Sequence, residues 1–307
     1  MTANQPPVYS GINTEARNPA TENMDLLSTL EMVRLMNEED ARVAQAVAAE
    51  VEHIARAVDA IVERMRQGGR LIYLGAGTSG RLGMLDASET LPTFNIPPEL
   101  VVGVIAGGER AITQPVENAE DNREAGERDI LALEITEKDC VVGIAASGQT
   151  PYTLSGMSAA RERGALVVSL ACNHPSPMAA LAHLYIAPLT GPEVISGSTR
   201  LKAGTAQKMV LNMLSTCVMV RLGKTYSNLM VDVQPTNAKL RERARRIVEQ
   251  ACGLTPEQAA EQLDRCGGEA KVAIVSSLAQ VSPQEARRRL ARADGSVRAA
   301  ISLQAGR

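Results

Sequence analysis

Short uninterrupted apolar runs recur through the first two thirds of the chain, and stretches with helical spacing lie between most of them. Runs at 70–74, 100–106, 139–145 and 165–170 read as buried strands, and 183–187 reads as a weaker fifth. Strands buried on both faces carry continuous rather than alternating apolar residues, and a βαβ rhythm places helices on both faces of a parallel sheet. The spacing predicts an α/β fold: a three-layer αβα sandwich around a five-stranded, mainly parallel sheet. Two helices precede it, at about 26–36 and from an N-cap at Asn37, with Asp40 three positions on, to about 67. A long helix follows at about 198–222. The texture then changes. Thr255-Pro-Glu257 and Ser282-Pro-Gln-Glu285 each open a helix with a capping hydroxyl, a proline in the first turn and an acid. The expected organisation is a polar, extended N-terminal arm at 1–25, a main domain at 26–253, and a small helical unit at 254–307, with three helices expected over 254–303.

Composition narrows the function classes. The 307 residues hold no Trp and one Phe, so the core is aliphatic and base stacking on aromatic platforms is unsupported. A formal net charge of −3 gives no broad basic surface, so no nucleic-acid partner is expected. The basic run at 241–246 is broken by Glu242 and reads as a solvated helix face. Five cysteines, odd in number and without a CxxC, fit reduced thiols. There is no apolar leader and no membrane-length run, so a cytoplasmic location away from membranes is expected. His174 and His183 have no ligand-spaced partners, and no metal is expected.

The chemistry lies in two strand-to-helix turns. The first, Gly75-Ala-Gly-Thr-Ser-Gly80, has the G-x-G-x-x-G spacing of a dinucleotide site. Yet Thr78 and Ser79 are hydroxyls suited to a phosphate, and the second strand ends in Ala106-Gly-Gly108 rather than a ribose-binding acid. The second turn, Ala145-Ala-Ser-Gly-Gln-Thr-Pro151, again offers hydroxyls and free N–H groups, from Ser147, Gly148, Gln149 and Thr150. Simple N-capping explains one such turn. Two on one sheet point to one phosphorylated small molecule at the carboxyl ends of the strands. The segment from Gly191 to Thr205 packs Glu193, Ser198, Arg200 and Lys202 among glycines and hydroxyls, more than a helix cap needs.

These blocks resemble the N-acetylmuramic acid 6-phosphate etherase family: Leu74–Arg81, Leu85-Asp-Ala-Ser-Glu89, 143–151, Gly191 through Lys208, and Asn228-Leu-Met-Val-Asp232. The likeness runs from about Thr14 to 303. The glucokinase regulatory protein has a similar Gly-Pro-Glu block, but it carries two sugar-isomerase (SIS) domains and this chain has room for one. The resemblance implies a flavodoxin-like SIS fold, a UBA-like helical tail and a homodimer. It implies cleavage of a phosphosugar's lactyl ether without a cofactor, with Glu89 as the catalytic acid and Glu120 as the second. Substrate contacts are then expected from Thr78, Ser79, Gly80, Ser147, Gly148, Gln149, Thr150, Glu193, Ser198 and Lys202. Ser79 and Glu89 stand ten residues apart on one expected helix, ~15 Å at 1.5 Å per residue, so Glu89 is expected to serve the partner's site. The alternatives are a non-catalytic phosphosugar sensor, an aldose–ketose isomerase on the same fold, and a nicotinamide enzyme.

Overall fold

The computed structural model describes residues 13–233 and 238–303. Three helices lead in: α1 (Thr29–Asp40), α2 (Val43–Ala48) and α3 (Val51–Arg66). The first begins later than the expected 26 and runs on past 36. Ser28 accepts from the Glu31 N–H and Glu31 reaches back to the Ser28 N–H, a capping box, while Asn37 lies inside the helix. The stretch expected as the second helix is shared among the end of α1, α2 and α3, with breaks at residues 41–42 and 49–50. Helix α3 buries Ile54, Ala57, Val58, Ile61, Val62 and Met65 along one face. Each large aliphatic side chain in such a stripe contributes about 1.5–3 kcal/mol when fully buried.

The sheet comprises β1 (Leu71–Gly75), β2 (Val101–Ile105), β3 (Cys140–Ile144), β4 (Leu166–Leu170) and β5 (Leu184–Ile186), all parallel, in the order 2-1-3-4-5. Every residue of β1, β3 and β4 is buried, whereas the edge strands β2 and β5 are partly open. That difference follows from position, since an edge strand lacks a neighbour on one side. Helix α4 (Gly77–Phe94) follows β1. Helices α5 (Arg110–Thr113) and α6 (Arg123–Leu131) separate β2 from β3, α7 (Pro151–Glu162) follows β3, and α8 (Pro177–Leu181) precedes β5. Tyr152, Met157 and Ala160 of α7 pack with Ile72, Leu74, Val141 and Val167 of the sheet in one buried cluster. Arg70 grips Asp139 through Nε and Nη2, at 3.0 and 2.9 Å, where β1 and β3 begin. Burial alone would raise the Asp139 carboxyl, but the Arg70 hydrogen bonds hold it below the ordinary value.

The chain forms two compact units, one up to Ser88 and over Glu99–Ser215, the other over Glu89–Pro98 and from Thr216 onward. Helix α9 (Lys202–Arg221) passes from one to the other. The second unit also holds the hairpin of β6 (Thr225–Tyr226) and β7 (Leu229–Met230). Helices α10 (Ala238–Cys252), α11 (Pro256–Arg265), α12 (Ala270–Leu278), α13 (Pro283–Arg292) and α14 (Val297–Ser302) complete it. Thr255 and Ser282 are the N-caps of α11 and α13, as their sequences predict. Residues 254–303 contain four helices rather than the expected three, and α10 joins their core through Ala244, Ile247 and Val248. The basic run lies on α10, where Arg245 and Arg246 bond Glu242 and Arg245 also bonds Glu249.

The N-terminal arm is not a free extended strand over its described part, residues 13–25. It makes short turns at Asn13–Glu15, Pro19–Thr21 and Met24–Leu26. It is fastened by long-range bonds: Asn13 N–H to Asn173 Oδ1 at 2.9 Å, Asn18 Nδ2 to Glu39 at 2.8 Å, and Thr21 Oγ1 to the Val194 carbonyl at 3.0 Å. Residues 1–12 of the expected arm and 304–307 of the expected tail lie outside the described residues.

Candidate active site

In a parallel sheet of order 2-1-3-4-5 the direction in which successive strands are added reverses between β1 and β3, and a crevice opens above their carboxyl ends. A cavity of about 390 Å³ lies there. Its walls include Ala76, Gly77, Thr78 and Ser79 after β1, and Ala145, Ala146, Ser147, Gln149, Thr150 and Pro151 after β3. Glu120 and Asp121 line it from the turn before α6, Gly197 and Thr199 from the segment before α9, and Glu15 from the N-terminal arm. Both hydroxyl-bearing turns read from the sequence therefore meet in one chamber.

Each turn is shaped for an anion. The first N–H groups of α4 have no partner within the helix and carry the positive end of its dipole. Gly80 lets that turn close: a Cβ on it would lie 2.6 Å from Ile105 Cγ1 and 2.7 Å from the Gly75 carbonyl oxygen. Gly80 thus acts by packing helix against strand, and it does not line the cavity. In the β3 turn, Ser147 Oγ accepts from the Gln149 N–H at 3.2 Å. Thr150 is the N-cap of α7, yet its hydroxyl makes no cap bond, which leaves it available to a ligand. Gly148 has φ +71°, and a Cβ there would meet Ser176 Cβ at 2.6 Å. Gly148→Val is expected to lower stability by about 1–3 kcal/mol, read in a denaturant midpoint, and to weaken phosphosugar binding as the turn shifts.

Two carboxylates expected from sequence are placed differently. Glu120 is exposed on the cavity wall, and its backbone carbonyl accepts from the Tyr152 N–H at 2.9 Å, tying it to the start of α7. Glu89 is exposed on α4, ten residues beyond Ser79. Ser79 itself is buried and donates to Gln207 Oε1 at 2.9 Å. Beneath, Asp86 accepts from Tyr73 OH, Asn212 Nδ2 and Ser215 Oγ, a buried carboxylate held by neutral donors. Burial first, and Asp86 second, push the Tyr73 phenol well above its usual range, so it stays a donor.

The 191–205 segment corrects part of the sequence reading. Glu193 and Lys202 were expected to touch substrate, but both are buried and spoken for. Glu193 Oε2 and Oε1 accept from the Lys202 and Ala203 N–H groups, each at 2.9 Å, so the carboxylate caps α9 from nine residues away. Burial outweighs those bonds and raises the Glu193 carboxyl above its ordinary value. Lys202 Nζ pairs with Glu39 Oε2 at 2.6 Å. Ser198 is half-buried beside the cavity-lining Gly197 and Thr199 and is not itself part of the wall. Arg200 is exposed. None of the described lining residues is basic, so amides, hydroxyls and helix dipoles are what the cavity offers an anion. His183 Nδ1 accepts from the Val167 N–H at 3.0 Å and His174 stacks on Tyr185.

Sequence reasoning missed Glu15, Asp121 and Thr199. Thr199 sat in a block already singled out and Asp121 adjoins Glu120, but Glu15 carried no local signal.

A 2-1-3-4-5 sheet with hydroxyl turns at its switch point fits a sugar-phosphate-binding domain of the SIS class. In agreement, residues 111–216 match the SIS domain profile and residues 53–161 match that of the glucokinase regulatory protein N-terminal SIS domain. The fold is similar to a phosphoheptose isomerase from Francisella tularensis, with a TM-score of 0.50 at 19% identity over 63% of this chain and 100% of that one. The chain is also 60% identical to the N-acetylmuramic acid 6-phosphate etherase of Rubrobacter xylanophilus, over 94% of this chain and 95% of that protein. It is 55% identical to the etherase of Photorhabdus laumondii, over 94% and 96%. The chain belongs to the N-acetylmuramic acid 6-phosphate etherase family.

Proposed function

We propose that the protein is a carbon–oxygen lyase that converts N-acetylmuramate 6-phosphate and water to N-acetylglucosamine 6-phosphate and D-lactate. The observation that carries this is the meeting of two hydroxyl-lined strand ends and the Glu120 carboxylate around one cavity. A phosphate dianion avoids carboxylates, so it occupies the end formed by Thr78, Ser147, Gln149 and Thr150. The sugar then extends toward Glu120.

An ether oxygen is a poor leaving group. With the sugar ring open, the C1 aldehyde acidifies the C2 proton. Glu120 takes that proton, a carboxylic acid protonates the departing lactate oxygen, and water adds across the resulting unsaturated aldehyde. The scheme needs two carboxyls in opposite protonation states. Glu89 is the acid, and it then activates the water. Its distance along α4 from the phosphate turn, ~15 Å, supports a role in the site of a second copy in a homodimer. No cofactor takes part, and the reaction belongs to the cytoplasm, where the five free thiols stay reduced.

The test is D-lactate release from N-acetylmuramate 6-phosphate by purified protein. Stoichiometric lactate and N-acetylglucosamine 6-phosphate support the reading. Binding without lactate, or a ketose phosphate in its place, overturns it.

A further inference from the structure

Elimination at C3 requires an open ring, since only the free aldehyde acidifies C2. Opening moves a proton from the anomeric O1 hydroxyl to the ring oxygen O5, and a positioned acid–base group speeds such a transfer. The two carboxyls of the proposed mechanism are committed elsewhere, Glu120 at C2 and Glu89 at the lactate oxygen. Among the described lining residues, Glu15 and Asp121 carry the further carboxyl groups; Thr78, Ser147, Gln149, Thr150 and Thr199 carry hydroxyls or an amide.

Glu15 is held in place from both sides. Before it, the Asn13 N–H donates to Asn173 Oδ1, and Asn173 Nδ2 donates to Thr14 Oγ1 at 3.1 Å and to the Ala146 carbonyl at 2.9 Å. Ala146 belongs to the β3 turn that lines the same cavity. After it, Asn18 Nδ2 donates to Glu39 and to the Pro192 carbonyl, and Thr21 Oγ1 to the Val194 carbonyl. Thr14, Asn18 and Thr21 are buried, while Glu15 turns outward to the cavity wall. Its carboxylate lodges against Gly197, where an added Cβ would come within 2.9 Å of Oε2. Ordering backbone costs roughly 1–2 kcal/mol per residue, and this strap is ordered by partners more than 150 positions away. Asp121 shares its segment with Glu120, whereas Glu15 approaches from another part of the chain, with room to serve a different bond of the sugar.

The geometry points to Glu15 as the residue that opens the sugar ring, an assignment that rests on the etherase reading above. The Glu15 carboxylate takes the proton of the O1 hydroxyl, and the electron pair of that O–H bond becomes the second bond of C1=O1. The C1–O5 bond breaks with its pair on O5, and the carboxyl returns its proton there. The carboxylate is regenerated and nothing is oxidised or reduced.

The experiment compares two substrates: closed-ring N-acetylmuramate 6-phosphate, followed by lactate release, and the synthetic open-chain 2,3-unsaturated aldehyde 6-phosphate, followed by hydration. Glu15→Gln is expected to slow lactate release by ~10²–10⁴-fold while hydrating the open-chain compound within about threefold of wild type. Hydration also reports that the variant is folded. Glu15→Asp, with its carboxyl drawn back by one methylene, is expected to show the same split at smaller amplitude. Equal loss on both substrates, no loss on either, or the split in Asp121→Asn in place of Glu15→Gln overturns the assignment. Wild-type protein that hydrates the open-chain compound yet releases no lactate from the closed sugar overturns the etherase reading, and the assignment with it.

Discussion

Replacing Glu89 with Ala is expected to lower lactate release by about 10²–10⁴-fold while leaving phosphosugar binding nearly intact, because the lost group moves protons and does not hold the phosphate. The substitution is mild for the fold, since Glu89 is exposed. Glu120→Gln is expected to be equally inactive, for want of the base at C2. Mixing the two inactive proteins separates the roles in space. If Glu89 serves the partner's cavity, each mixed dimer has one cavity with Glu120 and the partner's Glu89 both intact. Random exchange then restores roughly a quarter of wild-type activity, from half the dimers with one working site each. No recovery after verified subunit exchange places both carboxyls in one chain's site and refutes the sharing.

The largest stability effect is expected from Lys202→Met. Lys202 and Glu39 have side chains 2% and 3% exposed and lie 2.6 Å apart, so the variant leaves a carboxylate buried without its cation. Removing one partner of a buried pair costs about 3–5 kcal/mol. Asn18 and Arg42 remain beside Glu39 and soften the loss. The pair also shapes acid stability. Burial tends to raise the Glu39 carboxyl, but the Lys202 and Asn18 hydrogen bonds outweigh it and the value falls below the ordinary one. A depressed folded-state value contributes stability that is present above the unfolded carboxylate range, about 4.3, and is lost as pH falls through the folded value. Denaturant unfolding between pH 6 and 3 checks this. Wild type is expected to lose stability across the acid limb, and Glu39→Gln to flatten it. A Lys202→Met midpoint equal to wild type at pH 7 contradicts the account.

Activity is also expected to fall in Lys202→Met, because the lost side chain ties the start of α9 to Glu39. The Lys202 and Ala203 N–H groups hold Glu193, and Glu193 fixes the turn that carries Gly197 and Thr199 to the cavity. The density of the 191–205 segment is therefore the signature of a buried scaffold. A glutamate and a lysine in a glycine-rich run look alike in sequence whether they grip a ligand or each other's neighbourhood. Burial decides between the two, and burial is a property of the packed chain.

Local physics made much of the protein legible without coordinates. Continuous apolar runs bounded by turn residues located all five strands of the parallel sheet, because a strand covered on both faces has no polar side to show. Thr255 and Ser282 marked their helix starts, since an N-cap bond closes within three residues. The two hydroxyl turns were readable for the same reason: glycine, hydroxyl and helix start are adjacent in the chain. Tertiary structure alone decided that the two turns share a chamber, that Glu193 and Lys202 are spent inside the fold, and that Glu15 enters from an N-terminal segment pinned to Asn173 and Val194. Those contacts join residues that no local pattern relates, and only the closure of the whole chain brings their partners within a hydrogen bond's reach.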